Sequence, residues 1–100
     1  MTPGYAPRVV SRDEALIRRV GANVRSRRLE RGWSQAELAR QTGLAVSEIS
    51  RIERGVREVR ITTLLRVVTG LEVDPADLLV GVRIEGSHSA FRARDTDPVR

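Results

Sequence analysis

The sequence predicts an all-α domain of five short helices. Apolar residues recur at three- and four-residue intervals along most of the chain, and helix-capping residues and glycines separate one set of intervals from the next. No strand pattern appears before Leu79. A chain of 100 residues holds one small hydrophobic core.

Taken in order, residues 1–11 contain Pro3, Gly4 and Pro7 without periodicity and are expected to form a flexible arm. Ser11 and Glu14 have the S-x-x-E spacing of a capping box, in which each residue bonds the other's backbone amide. Leu16, Ile17, Val20 and Val24 then form one apolar stripe, which predicts a helix from about Arg12 to Arg31, stopped by Gly32. Leu29 falls off that stripe. Gly21 lowers helix propensity but lets a neighbouring helix approach closely.

A second box, Ser34 to Glu37, opens a helix from Gln35 to about Gln41, with Leu38 and Ala39 facing inward and Gly43 as a left-handed stop. The third helix is expected from Ala45 to about Arg54, with Ile49 and Ile52 on one face, and Gly55 ends it. After a polar link, Ile61, Leu64, Leu65 and Val68 make a fourth amphipathic helix. Asp74, Pro75 and Asp77 supply a cap, a first-turn proline and a first-turn acid for a short fifth helix holding Leu78 and Leu79. Val80, Val82 and Ile84 alternate with Gly81 and Arg83, which suggests an edge strand. Glu85 to Arg100 is polar and reads as disordered. The expected division is an arm over 1–11, a folded domain over 12–80, and a tail over 81–100 that begins as an edge strand or dimer contact.

Charge is distributed unevenly. The formal net charge is +5, and all 18 cations are arginine. Residues 16–60 hold eleven arginines against five acids, while residues 61–100 hold five against six. Positive charge gathered in the middle of the chain is what a polyanion-binding surface needs, although a solvated helical face would carry the same pattern.

Two short helices, about three residues apart around Gly43, have the spacing of a helix-turn-helix. Ala39 allows them to cross closely, and Ile49 and Ile52 lock the second against the core. A second helix held at a fixed angle fits the ~12 Å major groove of DNA.

The segment also resembles the phage-repressor/Cro-like, or XRE-like, helix-turn-helix family over roughly Val20 to Leu79. The matching pieces are R-x-x-R-G-W-S-Q-A-E-L-A from Arg28, T-G-L from Thr42, I-S-R-I-E-R-G from Ile49, T-L-L-R-V-V from Thr63 and L-E-V-D-P-A-D-L-L from Leu71. The resemblance implies that Gln35 binds a backbone phosphate beside exposed helix amides. It implies that Val46, Ser47, Ser50 and Arg51 face base edges or nearby phosphates. Arg51 is suited to guanine and Val46 to a thymine methyl. Arg54, Arg57 and Arg60 flank the helix end as phosphate anchors. Arg28 and Glu53 match a partly buried structural ion pair, and Trp33 a core position beside the motif. The chain departs from the family pattern at Ala45, where a serine or threonine cap is favoured, at Val59, where proline is common, and at Glu72, which replaces a frequent glycine.

Other function classes find little support. There is no cysteine, hence no disulfide, thiol nucleophile or thiolate metal site, which fits a cytoplasmic protein. No apolar stretch reaches the ~20 residues that span a bilayer, and the first eleven residues lack a signal-peptide core. His88 stands alone in a serine-rich tail, Asp95 and Asp97 share that tail, and Asp74 with Asp77 is explained by capping. No catalytic residue, metal site or cofactor is therefore expected. The expected function is sequence-specific binding of double-stranded DNA by a transcriptional regulator with Val46, Ser47, Ser50 and Arg51 as readers. With no room for a sensing domain in the tails, a repressor that occludes its promoter is the simplest form. A homodimer is expected, because one short helix reads few base pairs, with the fifth helix and Val80–Ile84 as the contact. The competing reading is a protein-interaction module on the same fold, such as an antitoxin-like regulator binding a toxin, and RNA polymerase is a further candidate protein partner. The polar, basic outward face of the third helix favours DNA. Glu48 is the one residue there that phosphate would repel.

Overall fold

The computed structural model describes residues 12–83. Four α-helices follow one another, α1 (Arg12–Glu30), α2 (Gln35–Thr42), α3 (Val46–Arg54) and α4 (Ile61–Leu71), and a 3-10 helix (Pro75–Leu79) closes the order. Among the described residues the architecture is all-helical, as expected, but the fifth element is not α. Its five residues are too few for a run of i→i−4 bonds, and Asp77 N–H instead reaches the Asp74 carbonyl at 2.8 Å, closing the tighter three-residue turn. The cap that opens it is as expected: the Asp74 carboxylate accepts from Ala76 N–H, and Asp77 accepts from Asp74 N–H.

The expected edge strand does not form over the described part of 80–84. Val80 is extended, but Gly81 turns left-handed at φ 77° and Val82 N–H folds back to the Leu79 carbonyl at 3.0 Å. Apolar alternation cannot make a strand without a partner strand to bond. Ile84, the arm over 1–11 with the Ser11 cap, and the tail with His88, Asp95 and Asp97 lie outside the described residues.

Each element contributes to one core. Val24, Leu38, Ile49, Val67, Leu71 and Leu78 are fully buried, with Ala39 and Ile52 beside them and Trp33, Val59 and Leu64 packed on the margin. α1 lies across α3 and the 3-10 helix, while α2 lies against α3 and α4. The α1–α3 crossing depends on Gly21: a β-carbon there would meet the carbonyl oxygen of Ile52 and come within 2.9 Å of that of Glu53. Backbone atoms cannot step aside as a flexible side chain does. Leu29, off the stripe, is half exposed.

Glu72 ends α4 in the left-handed conformation at φ 57°, the position where the motif favours glycine. Its carboxylate holds Arg31 at 2.9 Å, and Arg31 in turn lies 4.7 Å above the Trp33 ring, so one arginine ties the α1–α2 turn to the end of α4. Asn23 fixes the other end: its side-chain amide donates to the Leu78 carbonyl at 2.9 Å and the Val80 carbonyl at 2.8 Å.

Candidate nucleic-acid interface

The α2–turn–α3 unit is set by its caps and its buried face. Ser34 Oγ accepts from Glu37 N–H at 3.0 Å, which satisfies one orphan amide at the start of α2. The reciprocal half of that box is diverted, because the Glu37 carboxylate turns to Arg40 at 2.6 Å and Gln41 at 2.7 Å. Arg40 first, and Gln41 second, hold the Glu37 carboxyl below the usual carboxylate range. Gly43, at φ 75°, ends α2 with its N–H on the Ala39 carbonyl. Ala45 then starts α3 without a side-chain cap. Burial holds this helix: Ile49, Ile52 and Glu53 point inward.

At ~100° per residue, the positions left over on α3 form one continuous strip: Val46, Ser50, Arg54, Ser47 and Arg51. Val46, Ser47, Arg51 and Arg54 are exposed and Ser50 is half-buried. Val46 is 46 % exposed in a helix whose other large apolar residues are buried, which leaves a methyl surface at the head of the strip. Among the described residues Arg54 bonds only back to the Ser50 carbonyl, at 3.4 Å. Glu48 is half-buried at the edge of this strip, in the first turn, where its charge complements the helix dipole. That location accounts for an acid beside an otherwise basic strip.

Arg51, Arg57 and Arg60 line a shallow depression together with Glu48, Glu58, Val59 and Thr63, between the end of α3 and the start of α4. Two groups of arginines stand out among the described residues. Arg27, Arg28, Arg31 and Arg40 are paired with acids within 4.0 Å. Arg51, Arg54, Arg57 and Arg60 are in no such pair, and all four are exposed.

Beneath this surface Arg28 donates Nε to Glu53 Oε2 at 2.7 Å and Nη2 to Oε1 at 2.9 Å, while Nη1 reaches the Trp33 carbonyl at 2.7 Å. Both residues are buried. Hydrogen bonding to Glu53 raises the Arg28 guanidinium above its usual value, against the opposing effect of burial. Gln35 joins this network: its Nε2 donates to Glu53 Oε1 at 3.1 Å. The amide at the head of α2 is therefore attached to the last turn of α3, and it keeps its second Nε2 hydrogen, its carbonyl oxygen and the backbone N–H for other partners. Sequence spacing does not mark that bond, since Gln35 and Glu53 are 18 residues apart. Nor does it mark Arg18, which is exposed and crosses Gly55 at the end of α3. Periodicity gives the buried stripe of α1 but not which neighbour borders it.

A helix-turn-helix family model, HTH_3, matches residues 24–78. The chain belongs to this family. One similar protein is an uncharacterized HTH-type transcriptional regulator of Mycobacterium tuberculosis (strain H37Rv), 40% identical over 55 residues, which are 55% of this chain and 22% of that protein. Another is a Neisseria hypothetical transcription factor from Neisseria meningitidis serogroup B, 38% identical over 69 residues, 68% of this chain and 65% of it. Among solved structures, the clp gene regulator ClgR from Corynebacterium glutamicum superposes with a TM-score of 0.63 at 31% identity, over 80% of this chain and 83% of that one. The chain thus spans about a fifth of the length of the mycobacterial regulator that it matches. No helix among the described residues is long and apolar enough to cross a membrane.

Proposed function

We propose that the chain is a DNA-binding transcriptional regulator that reads double-stranded DNA through α3 in the major groove. The observation that carries this reading is the outward strip of α3 with four exposed arginines, at or just beyond the helix, that are in no ion pair among the described residues. Exposed cations not taken by a carboxylate, on or beside a helix narrow enough for the groove, are matched to phosphate and base acceptors. In this reading Val46, Ser47, Ser50 and Arg51 read bases, and Arg54, Arg57 and Arg60 hold phosphates. Gln35 adds a phosphate contact through the Nε2 hydrogen that Glu53 does not take, helped by its backbone N–H and the α2 dipole.

The functional unit is a cytoplasmic homodimer that represses by occluding its promoter. Leu79 and Val80, 48 % and 58 % exposed on a segment that Asn23 holds by the Leu78 and Val80 carbonyls, supply the contact with the second copy. A two-fold pair would place its half-sites about one helical turn, ~34–36 Å, apart.

Selection of bound duplexes from a randomised DNA pool tests the reading, followed by titration of the winner and a scrambled control at several salt concentrations. The expected result is a palindromic consensus bound at least ~1,000-fold more tightly than the control. Weak, salt-sensitive binding without a consensus would overturn it.

A further inference from the structure

We infer that Arg18, near the start of α1, is a phosphate contact of the same interface, so that the N-terminal half of α1 extends the DNA footprint beyond the end of the recognition helix. This rests on the DNA-binding reading above. The placement comes from Gly55, which caps α3 at φ 65°. A β-carbon on Gly55 would lie 2.6 Å from the Arg18 α-carbon and 2.9 Å from its Cγ, so the aliphatic stem of Arg18 passes directly over the cap. Arg54 is the residue before that glycine and Arg57 lies two residues after it. Three guanidinium side chains therefore originate at one end of α3, and two of them belong to the set of unpaired arginines already assigned to phosphates.

Arg18 has the properties of that set. It is exposed and is in no ion pair within 4.0 Å among the described residues. Arg25 of α1 shares both properties, so it is the packing over Gly55 that singles out Arg18. Arg27 and Arg28 are both taken by carboxylates, and Arg19 carries its Nε to Gly81, 3.2 Å from where a β-carbon would stand on that glycine. A lone arginine packed on a helix C-terminus would also favour the helix dipole, which explains its charge without DNA. Arg54 already occupies the last turn, however, and the Gly55 N–H caps the Arg51 and Ile52 carbonyls through the backbone, so the terminus has a basic side chain and a backbone cap without Arg18. The position also lies outside the matched family segment, which begins at residue 24. That part of α1 is built against the recognition helix by the close approaches at Gly21 and Gly55.

The experiment compares the full chain with Arg18→Gln on the duplex recovered by the selection, measuring affinity against salt, thermal stability and phosphate-ethylation interference. Removal of one phosphate interaction lowers the log–log salt slope by about 0.9 and, at about 0.15 M salt, weakens binding roughly fivefold. We expect that change with unaltered base preference, the disappearance of interference at one or more flanking phosphates, and an unchanged melting temperature. An unaltered slope and interference pattern in Arg18→Gln overturns the inference. So does a fall in melting temperature without a change in slope, which assigns Arg18 to the helix dipole alone. If the unsubstituted chain selects no duplex, the DNA reading itself fails and Arg18 falls with it, a result distinct from either of these.

Discussion

Arg28 and Arg51 lie on two sides of one small module and have opposite environments. Arg28 is buried, and all its contacts are internal: two bonds to Glu53 and one to the Trp33 carbonyl. Arg51 is exposed, with Arg57 and Arg60 around the same depression and no ion pair among the described residues. The residue type is the same, so the difference comes from the helix phase. Residues 49, 52 and 53 of α3 turn inward and carry Glu53 to Arg28, while residue 51 is carried outward. One helix thus holds a structural face and a binding face. The internal arginine fixes the angle at which the external ones are presented.

The sharpest way to break that comparison is to remove Glu53. Glu53→Ala leaves the Arg28 guanidinium buried without its counter-charge and frees the Gln35 amide from the end of α3. A cost of about 3–5 kcal/mol is expected for breaking such a pair, a large part of the ~5–15 kcal/mol that holds a domain folded. Urea denaturation measures it. A loss below about 1 kcal/mol would place the pair with exposed salt bridges, contrary to its burial.

Next in size is the crossing that brings the two faces together. Gly21→Ala adds a β-carbon against the Ile52 and Glu53 carbonyls, so α1 and α3 must separate. The expected penalty is about 1–3 kcal/mol, although alanine in an exposed helix gains up to about 1 kcal/mol over glycine. A stabilised Gly21→Ala chain by thermal melting would show that the crossing is looser than these distances imply.

On the outer face, two substitutions of the same type should separate. Arg51→Ala is expected to lose about 1–3 kcal/mol of affinity and relax preference at one base position, whereas Arg57→Ala should weaken all sequences alike and lower the salt slope by about one. Titrations on the selected and scrambled duplexes decide it. Equal losses on both duplexes for both variants would mean that the external arginines act as one undivided basic surface.

Much of this was legible in the sequence, and the parts that were not share a cause. The stripe Leu16–Val24, the Ser34 cap, the Gly43 and Gly55 stops and the Asp74–Asp77 box are local signals, and each reports on residues within four positions of itself. The Arg28–Glu53 pair, 25 residues apart, was visible only through resemblance to a family. The Gln35 bond to Glu53, the Asn23 clamp on Leu78 and Val80, and the position of Arg18 over Gly55 all join distant segments, and no local pattern encodes them. One departure was also long-range in character, and the other was a matter of length. Alternation at Val80 and Val82 needs a partner strand, and Pro75–Leu79 is helical as expected but takes the 3-10 form because five residues are too few for a run of i→i−4 bonds.

The smallest expected effect concerns the point where the two faces meet, the start of α3. Ala45 has the extended conformation of an N-cap, φ −74° and ψ 150°, but offers no side-chain acceptor to the first-turn amides. Its carbonyl already accepts from Glu48 and Ile49 N–H, so the turn is formed and lacks only the cap. Ala45→Ser supplies the missing oxygen at a site whose backbone needs no change, and a gain of about 1 kcal/mol is expected. For a domain of this size that raises the melting temperature by about 4–8 °C. The comparison predicts that this gain stays on the structural side: Arg51 and Arg54 keep their positions, since Ile49 and Ile52 set the helix phase, and base preference is unchanged. A shift in the selected consensus with Ala45→Ser would instead mean that the uncapped turn moves on binding, and that the orientation of α3 is set in part by the DNA it meets.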